Sequence, residues 1–279
     1  MKRLLVILNV LFLLTSVSYG ARRDTVKILS IGNSFSEDAV EEFLSPLVRA
    51  EGLDVVICNM FIGGCSIEKH VENLRENKAD YRYRKIDPKG NMTEVWGYAL
   101  ETVLAEEEWD YVSVQQASHF SGQPHTYALL PELLSFIRER VPEDAVLMFH
   151  QTWAYSPDSE HGGFANYDWD QMKMYNAIVE TVNQETEKTG LELIIPAGTA
   201  IQNARNSSLG DTLCRDGFHL DLNYGRYLAG LTWFHKITGL PIDDIGYIPE
   251  GAFDEECLEV LKECAKNAVE NPYSVTVSR

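Results

Sequence analysis

The sequence predicts an α/β protein, a three-layer α/β/α sandwich around a central five-stranded parallel sheet. Strand-like apolar runs rich in Val, Ile and Leu alternate with amphipathic, helix-like segments, which is the rhythm of βαβ units. Those runs show little period-2 alternation, as strands covered on both faces should. Right-handed crossovers then place helices on both sides of the sheet.

The first 20 residues stand apart. Lys2 and Arg3 precede an apolar run from Leu4 to Leu14, and Ser18 and Gly20 occupy the −3 and −1 positions for a cut before Ala21. This is the pattern of a secretory signal peptide, with an apolar run too short for a comfortable membrane span. Residues 21–279 then read as one domain without a linker. Strands are expected at 26–31, 53–58, 111–114, 145–149 and 191–195. Helical patterns fill 37–50, 93–107, 126–140 and 169–189, and two more follow the last strand at 223–238 and 254–270. Residues 80–92, around the turn signal Asp87-Pro88-Lys89-Gly90, read as a hairpin inserted before a helix. Residues 152–168 form a long loop after a strand, and their Trp and Tyr content marks it as packed and pocket-lining.

The formal charge is −18, and loss of Lys2 and Arg3 with the leader takes it to −20. So acidic a surface argues against nucleic acid or an anionic membrane as partner. Only the stretch Tyr81–Lys89 is densely basic. No second stretch is long and apolar enough to cross a membrane. The mature chain is therefore expected to be exported, periplasmic or secreted, without membrane insertion. The five cysteines (58, 65, 214, 257 and 264) do not form a metal-ligand pattern. Cys257 and Cys264 lie two helical turns apart, too far for a bridge, whereas a Cys65–Cys214 pair is compatible with export.

In an open parallel sheet, ligands bind beyond the carboxyl ends of the strands. Five places qualify: 32–36, 59–66, 115–122, 150–155 and 196–199. In the first, Gly32-Asn33-Ser34 puts a serine hydroxyl at the sheet edge beside a helix N-terminus, whose free N–H groups favour a developing oxyanion. Ser36, followed by Glu37 and Asp38, suits the helix cap, which leaves Ser34 available as a nucleophile. A serine nucleophile needs a base, and Asp-x-x-His occurs twice, at Asp158/His161 and Asp216/His219. Asp216-Gly217-Phe218-His219 leads into an ordered helix start. The other pair lies in a polar loop with two glycines, a poor platform for a base. His150 ends the fourth strand, where a buried structural histidine is the ordinary outcome.

Taken together, these blocks resemble the SGNH (GDSL-type) serine hydrolases, esterases and lipases on a flavodoxin-like α/β/α fold. The family's Gly-Asp-Ser block is matched by Gly32-Asn33-Ser34, with Asn for Asp. Its C-terminal Asp-x-x-His is matched by Asp216 and His219. The glycine of its second block is matched at Gly64, where Asn59, Gly64 and Ser66 have the spacing found in acetylesterases acting on pectin-type polysaccharides.

The resemblance implies a Ser34, His219 and Asp216 triad, with the Ser34 and Gly64 N–H groups holding the oxyanion. The third block departs from Gly-x-Asn-Asp: Ala117 and His119 stand where the Gly and Asn would be. Gln116 is the substitute side-chain donor, with Gln115, Ser118 or His119 as alternatives. Trp153 and Tyr155 either meet a sugar ring or acyl group or pack the core. Arg205 and Arg215 either contact a substrate acid or lie solvated at the surface.

The function implied is hydrolysis of O-acyl esters, acetyl among them, on a small molecule or glycan, with no metal or organic cofactor. Two other readings fit the same residues: a non-catalytic glycan-binding protein, and an acyltransferase that excludes water.

Overall fold

The structure is a computed structural model that describes residues 25–276 apart from 192 and 252, so the expected leader, residues 1–20, lies outside the described residues. Seven strands form one sheet, β1 (Thr25–Gly32), β2 (Asp54–Phe61), β3 (Tyr81–Ile86), β4 (Met92–Tyr98), β5 (Tyr111–Val114), β6 (Val146–His150) and β7 (Leu193–Ile195), in the order β4-β3-β2-β1-β5-β6-β7. The run β2-β1-β5-β6-β7 is parallel throughout and contains the five expected strands. The sheet has seven strands rather than five because the 80–92 hairpin adds β3 and β4 antiparallel to the β2 edge.

That addition corrects a helix expectation. Residues 93–107 do not form one helix: Met92–Tyr98 is strand β4, and only Leu100–Leu104 is helical. The segment Thr93, Val95, Trp96 and Tyr98 is made of strand formers, and Gly97, at φ +76°, breaks any helical continuation.

Nine helices occur among the described residues: α1 (Ser34–Val40), α2 (Leu44–Ala50), α3 (Ile67–Arg75), α4 (Leu100–Leu104), α5 (Leu130–Arg138), α6 (Gln171–Thr189), α7 (Ala197–Arg205), α8 (Tyr224–Thr238) and α9 (Glu255–Glu270). The expected 37–50 helix is thus two, and α3 and α7 are additions to the expected set. On one side α1 and α2 pack on α8, which packs on α7 and α9; α3 packs on α4 and α5. The sheet centre is dry, with Ile28, Leu29 and Ile31 of β1 and Val112 and Val114 of β5 buried. Each such side chain contributes about 1.5–3 kcal/mol.

The basic stretch on β3 is neutralised locally. Arg82 pairs with Glu37 at 2.8 Å, Arg84 with Glu94 at 2.6 Å and also with Glu41, and Lys85 with Glu107 at 2.6 Å. All five cysteines are unbridged, so the Cys65–Cys214 pair does not form. Among the described residues no helix is long and apolar enough to cross a membrane.

Candidate active site

β1 ends at Gly32, and the chain turns directly into α1. Asn33 is the N-cap of that helix, accepting the Phe35 N–H at 3.0 Å on Oδ1. The cap is therefore Asn33 and not Ser36, whose hydroxyl donates instead within the first turn to the Asn33 carbonyl at 2.7 Å. Asn33 is held from two more sides. Its Nδ2 donates to the Cys65 carbonyl at 3.0 Å, and Gln115 Nε2 donates to its Oδ1 at 2.8 Å. Gln115 Oε1 in turn lies 3.0 Å from His150 Nδ1, so that nitrogen carries the proton. Burial pushes the His150 pKa down to about 3, which keeps the ring neutral. His150 is thus the buried anchor of a relay that ends at the turn carrying Ser34.

Ser34, at the first position of α1, meets a loop from the far end of the chain. His219 Nε2 lies 2.8 Å from Ser34 Oγ, and His219 Nδ1 lies 2.7 Å from Asp216 Oδ2. Asp216 Oδ1 also accepts the His219 and Phe218 N–H groups, at 2.8 and 3.2 Å. Burial pushes the Asp216 carboxyl up. The hydrogen bonds from the His219 ring and from the two N–H groups outweigh it and hold the pKa below the usual aspartate value. An ionised Asp216 fixes the Nδ1–H tautomer, leaving the Nε2 lone pair to accept the Ser34 hydroxyl.

The 216–219 loop is gripped from both faces. Gly217 sits at φ +85°, and a Cβ there would come within 2.6 Å of Ser159 Cα, so only glycine fits. From the 152–168 loop, Ser156 N–H donates to the Gly217 carbonyl at 2.8 Å and Trp153 Nε1–H to the Phe218 carbonyl at 2.8 Å. From α1, one turn beyond Ser34, the Asp38 side chain is 0% exposed and takes Arg215 and Arg226 at 3.1 and 2.7 Å. Burial raises the Asp38 pKa despite the opposing Arg226 and Arg215 charges and the Leu220 N–H bond.

Several sequence expectations need correction. Trp153 is 0% exposed and stacks on Phe35 with centroids 4.2 Å apart, so it packs beneath the Ser34 turn as part of the core. Gln116 is equally buried. Its amide donates to the Thr126 carbonyl and hydroxyl at 2.9 and 3.1 Å and accepts the Ile67 and Ala117 N–H groups at 3.0 and 2.8 Å. With donors and acceptors engaged, it ties β5 to α3 and has no hydrogen left for an oxyanion. Arg205 is buried against Asp211 at 2.9 Å and is not a solvated arginine, whereas Arg215 stays exposed at the surface while pairing with Asp38 at 3.1 Å. Gly64 lies exposed in the turn after β2 at φ +63°. Neither its N–H nor that of Ser34 donates to a protein acceptor among the described residues.

His119 is half-buried, and its ring lies 5.7 Å from that of His161. Burial, then the neighbouring His161, lowers its pKa. Sequence reasoning passed over His161. Its ring meets Phe218 edge-on at 4.9 Å, and burial followed by the His219 charge lowers its pKa. Both rings are therefore neutral at pH 7 and line the wall beside His219. The spacing Asp158/His161 was the available signal, but the contact that matters is made to Phe218, far away in sequence. Among the described residues no group of three or more His, Cys, Asp or Glu side chains is arranged to hold a metal.

A serine, imidazole and carboxylate in line, beside a helix N-terminus with free N–H groups, can carry out nucleophilic acyl transfer. The comparisons with known proteins agree on the scaffold. A crystal structure of a DUF4886 family protein from Bacteroides uniformis superposes at TM-score 0.89 with 51% identity, over 91% of this chain and 98% of that one. Axe2, an acetylxylan esterase from Geobacillus stearothermophilus, matches at TM-score 0.50 with 13% identity, over 76% of this chain and 94% of that one. At that identity the likeness is one of fold. No curated protein matches. Residues 27–268 match the family model described as a domain of unknown function, DUF4886, and the chain belongs to that family.

Proposed function

We propose that this protein is a serine esterase of the SGNH type that removes O-acyl groups, acetyl among them, from a carbohydrate. The observation that carries the reading is the aligned set Ser34 Oγ, His219 and Asp216, at 2.8 and 2.7 Å. His219 Nε2 takes the Ser34 proton as Oγ attacks the ester carbonyl. The oxyanion of the tetrahedral intermediate is stabilised by the Ser34 and Gly64 N–H groups. His219 then returns the proton to the departing alcohol, leaving an acyl-enzyme. Water, deprotonated by the same ring, attacks the acyl carbon and frees the acid and Ser34.

The carbohydrate part of the reading is supported by the fold shared with Axe2. In that acetylxylan esterase, replacing a serine, an aspartate or a histidine three positions after the aspartate gives a catalytic mutant. In this chain the same residue types occur in the same order, with the same spacing of three at Asp216 and His219. The reading also takes residues 1–20 as a removed leader and the mature chain as exported, which N-terminal sequencing of the protein from its native host tests.

The deciding experiment is a panel of nitrophenyl esters and acetylated oligosaccharides with Ser34→Ala as control, alongside labelling by a fluorophosphonate. Parent activity that falls by about 10⁴-fold or more in Ser34→Ala, with labelling lost, supports the esterase. Ser34→Ala protein that hydrolyses at the parent rate sinks it.

A further inference from the structure

A cavity of about 320 Å³ opens at the active rim, on the α3 and α5 side of the sheet. Its position follows from the topology. β1, which ends in the Ser34 turn, lies between β2 and β5, and the cavity is walled by the segments that follow those two neighbours. Ser66 and Glu68 come from the N-cap and first turn of α3, two and four residues beyond Gly64. Gln116, Phe120, His125 and Thr126 come from the loops after β5. One bond ties the first wall to the Ser34 turn and a second joins the two walls. Asn33, next to Ser34, holds the Cys65 carbonyl at 3.0 Å, and Gln116 accepts the Ile67 N–H at 3.0 Å. Aromatic rings also run from the cavity to the base: Phe120 on His119 at 4.0 Å, His119 near His161, His161 on Phe218, and Phe218 on His219 at 4.1 Å.

We propose that this cavity is a saccharide subsite, which holds one sugar ring of the glycan whose ester Ser34 cleaves. Its size exceeds what an acetyl group fills and falls at the lower bound for small-molecule sites. Its lining joins an aromatic face to hydrogen-bonding groups. The half-exposed Phe120 ring offers a flat surface to the C–H face of a pyranose. The exposed Glu68 carboxylate accepts from sugar hydroxyls, and the exposed His125 imidazole can donate or accept. Neither Glu68 nor His125 has a hydrogen-bond partner among the described residues. The polar groups with structural roles, Gln116 and Thr126, are already bonded to each other at 2.9 and 3.1 Å, so the wall keeps its shape when empty. No cationic Lys or Arg lines the cavity, which fits an uncharged glycan and disfavours an anionic one.

The subsite rests on the esterase reading, and its test keeps the two apart. Kinetics of the parent, Phe120→Ala and the surface variant Glu68→Gln are measured on acetylated xylo-oligosaccharides and on nitrophenyl acetate and butyrate. The subsite predicts KM for the oligosaccharide raised about fivefold to tenfold in each variant, the loss of one contact of roughly 1 kcal/mol, with kcat and both nitrophenyl rates unchanged. Equal effects on oligosaccharide and nitrophenyl acetate, or no effect on either, overturn it. An altered ratio of acetate to butyrate hydrolysis makes the cavity an acyl pocket and overturns it as well. Absence of Ser34-dependent hydrolysis in the parent refutes the esterase instead. Calorimetric titration of xylotetraose then reads the cavity alone: binding by the parent that weakens in Phe120→Ala supports a saccharide site, and no binding by the parent, or equal binding, excludes it.

Discussion

The buried carboxylate of Asp38 accepts the backbone N–H of Leu220 at 2.8 Å across 182 residues of sequence. Asp38 sits one helical turn after Ser34, and Leu220 follows His219 directly, so one carboxylate sets the Ser34 hydroxyl and the His219 ring against each other. Arg215 and Arg226 close the grip from either side of that loop.

Asp38→Asn therefore acts on catalysis as well as on stability. Asparagine keeps an acceptor for Leu220 but removes the charge that the half-buried Arg226 and the exposed Arg215 share, which weakens their hold on the loop. Loosening the loop by a fraction of an ångström is expected to lower kcat by about 10–100-fold with KM within about twofold of the parent. Steady-state kinetics check this; an unchanged kcat accompanied only by a lower Tm refutes the positioning role.

Asn33 explains why this chain departs from Gly-Asp-Ser. Its Nδ2 supplies the Cys65 carbonyl with a donor, which an ionised aspartate lacks. Asn33→Asp is expected to cost about 1–3 kcal/mol at neutral pH. A carboxyl here gains from being protonated, so its folded pKa is raised. The loss is smallest below the ordinary carboxylate range and grows as pH rises through it. Urea unfolding of parent and variant across pH measures the gap; a gap constant with pH disproves the assignment.

Asp216 has the opposite sign. Its pKa is depressed in the folded chain, so its contribution to stability is complete above the usual aspartate value and disappears as pH falls through the depressed one. The stability difference between parent and Asp216→Asn should stay level from neutral pH down to that usual value and close below it. In the same variant kcat should fall about 10²–10⁴-fold through loss of the correct imidazole tautomer, measured on nitrophenyl acetate.

Trp153→Phe separates support from contact. The change removes the donor to the Phe218 carbonyl, an expected loss of about 1–3 kcal/mol, and frees the loop beside His219. Lower kcat with an unchanged KM for any glycan ester is the expected result. A rise in KM confined to glycans would instead mean that the indole meets substrate.

How much of this was legible in the sequence depended on how local the cause was. The parallel strands announced themselves as unbroken apolar runs, because burial on both faces leaves no polar side to show. Ser34, Asp216 and His219 stood out because turn residues and an i, i+3 spacing are short-range signals. Helix α7 was invisible for the converse reason: every residue from Ala197 to Arg205 is buried, so no amphipathic period marks it. Helix α3 was passed over, although Ser66 caps it at 3.2 Å to the Lys69 N–H. Asp38 looked like one more acid in the first turns of a helix. Its role depends on Arg215, Leu220 and Arg226, partners that only the folded chain brings near. Gln116 was misassigned on chemistry alone, since an amide can serve an oxyanion or a neighbouring backbone equally well, and sequence does not show which acceptor is nearer.

The unbridged cysteines bear on how the chain is made. With no sulfur–sulfur bond in the finished fold, its maturation requires no oxidant and no thiol isomerase. Burial pushes the Cys58 and Cys65 thiols up to about 12, which starves them of the thiolate that oxidation consumes. The fold should form equally well in reducing and oxidising surroundings.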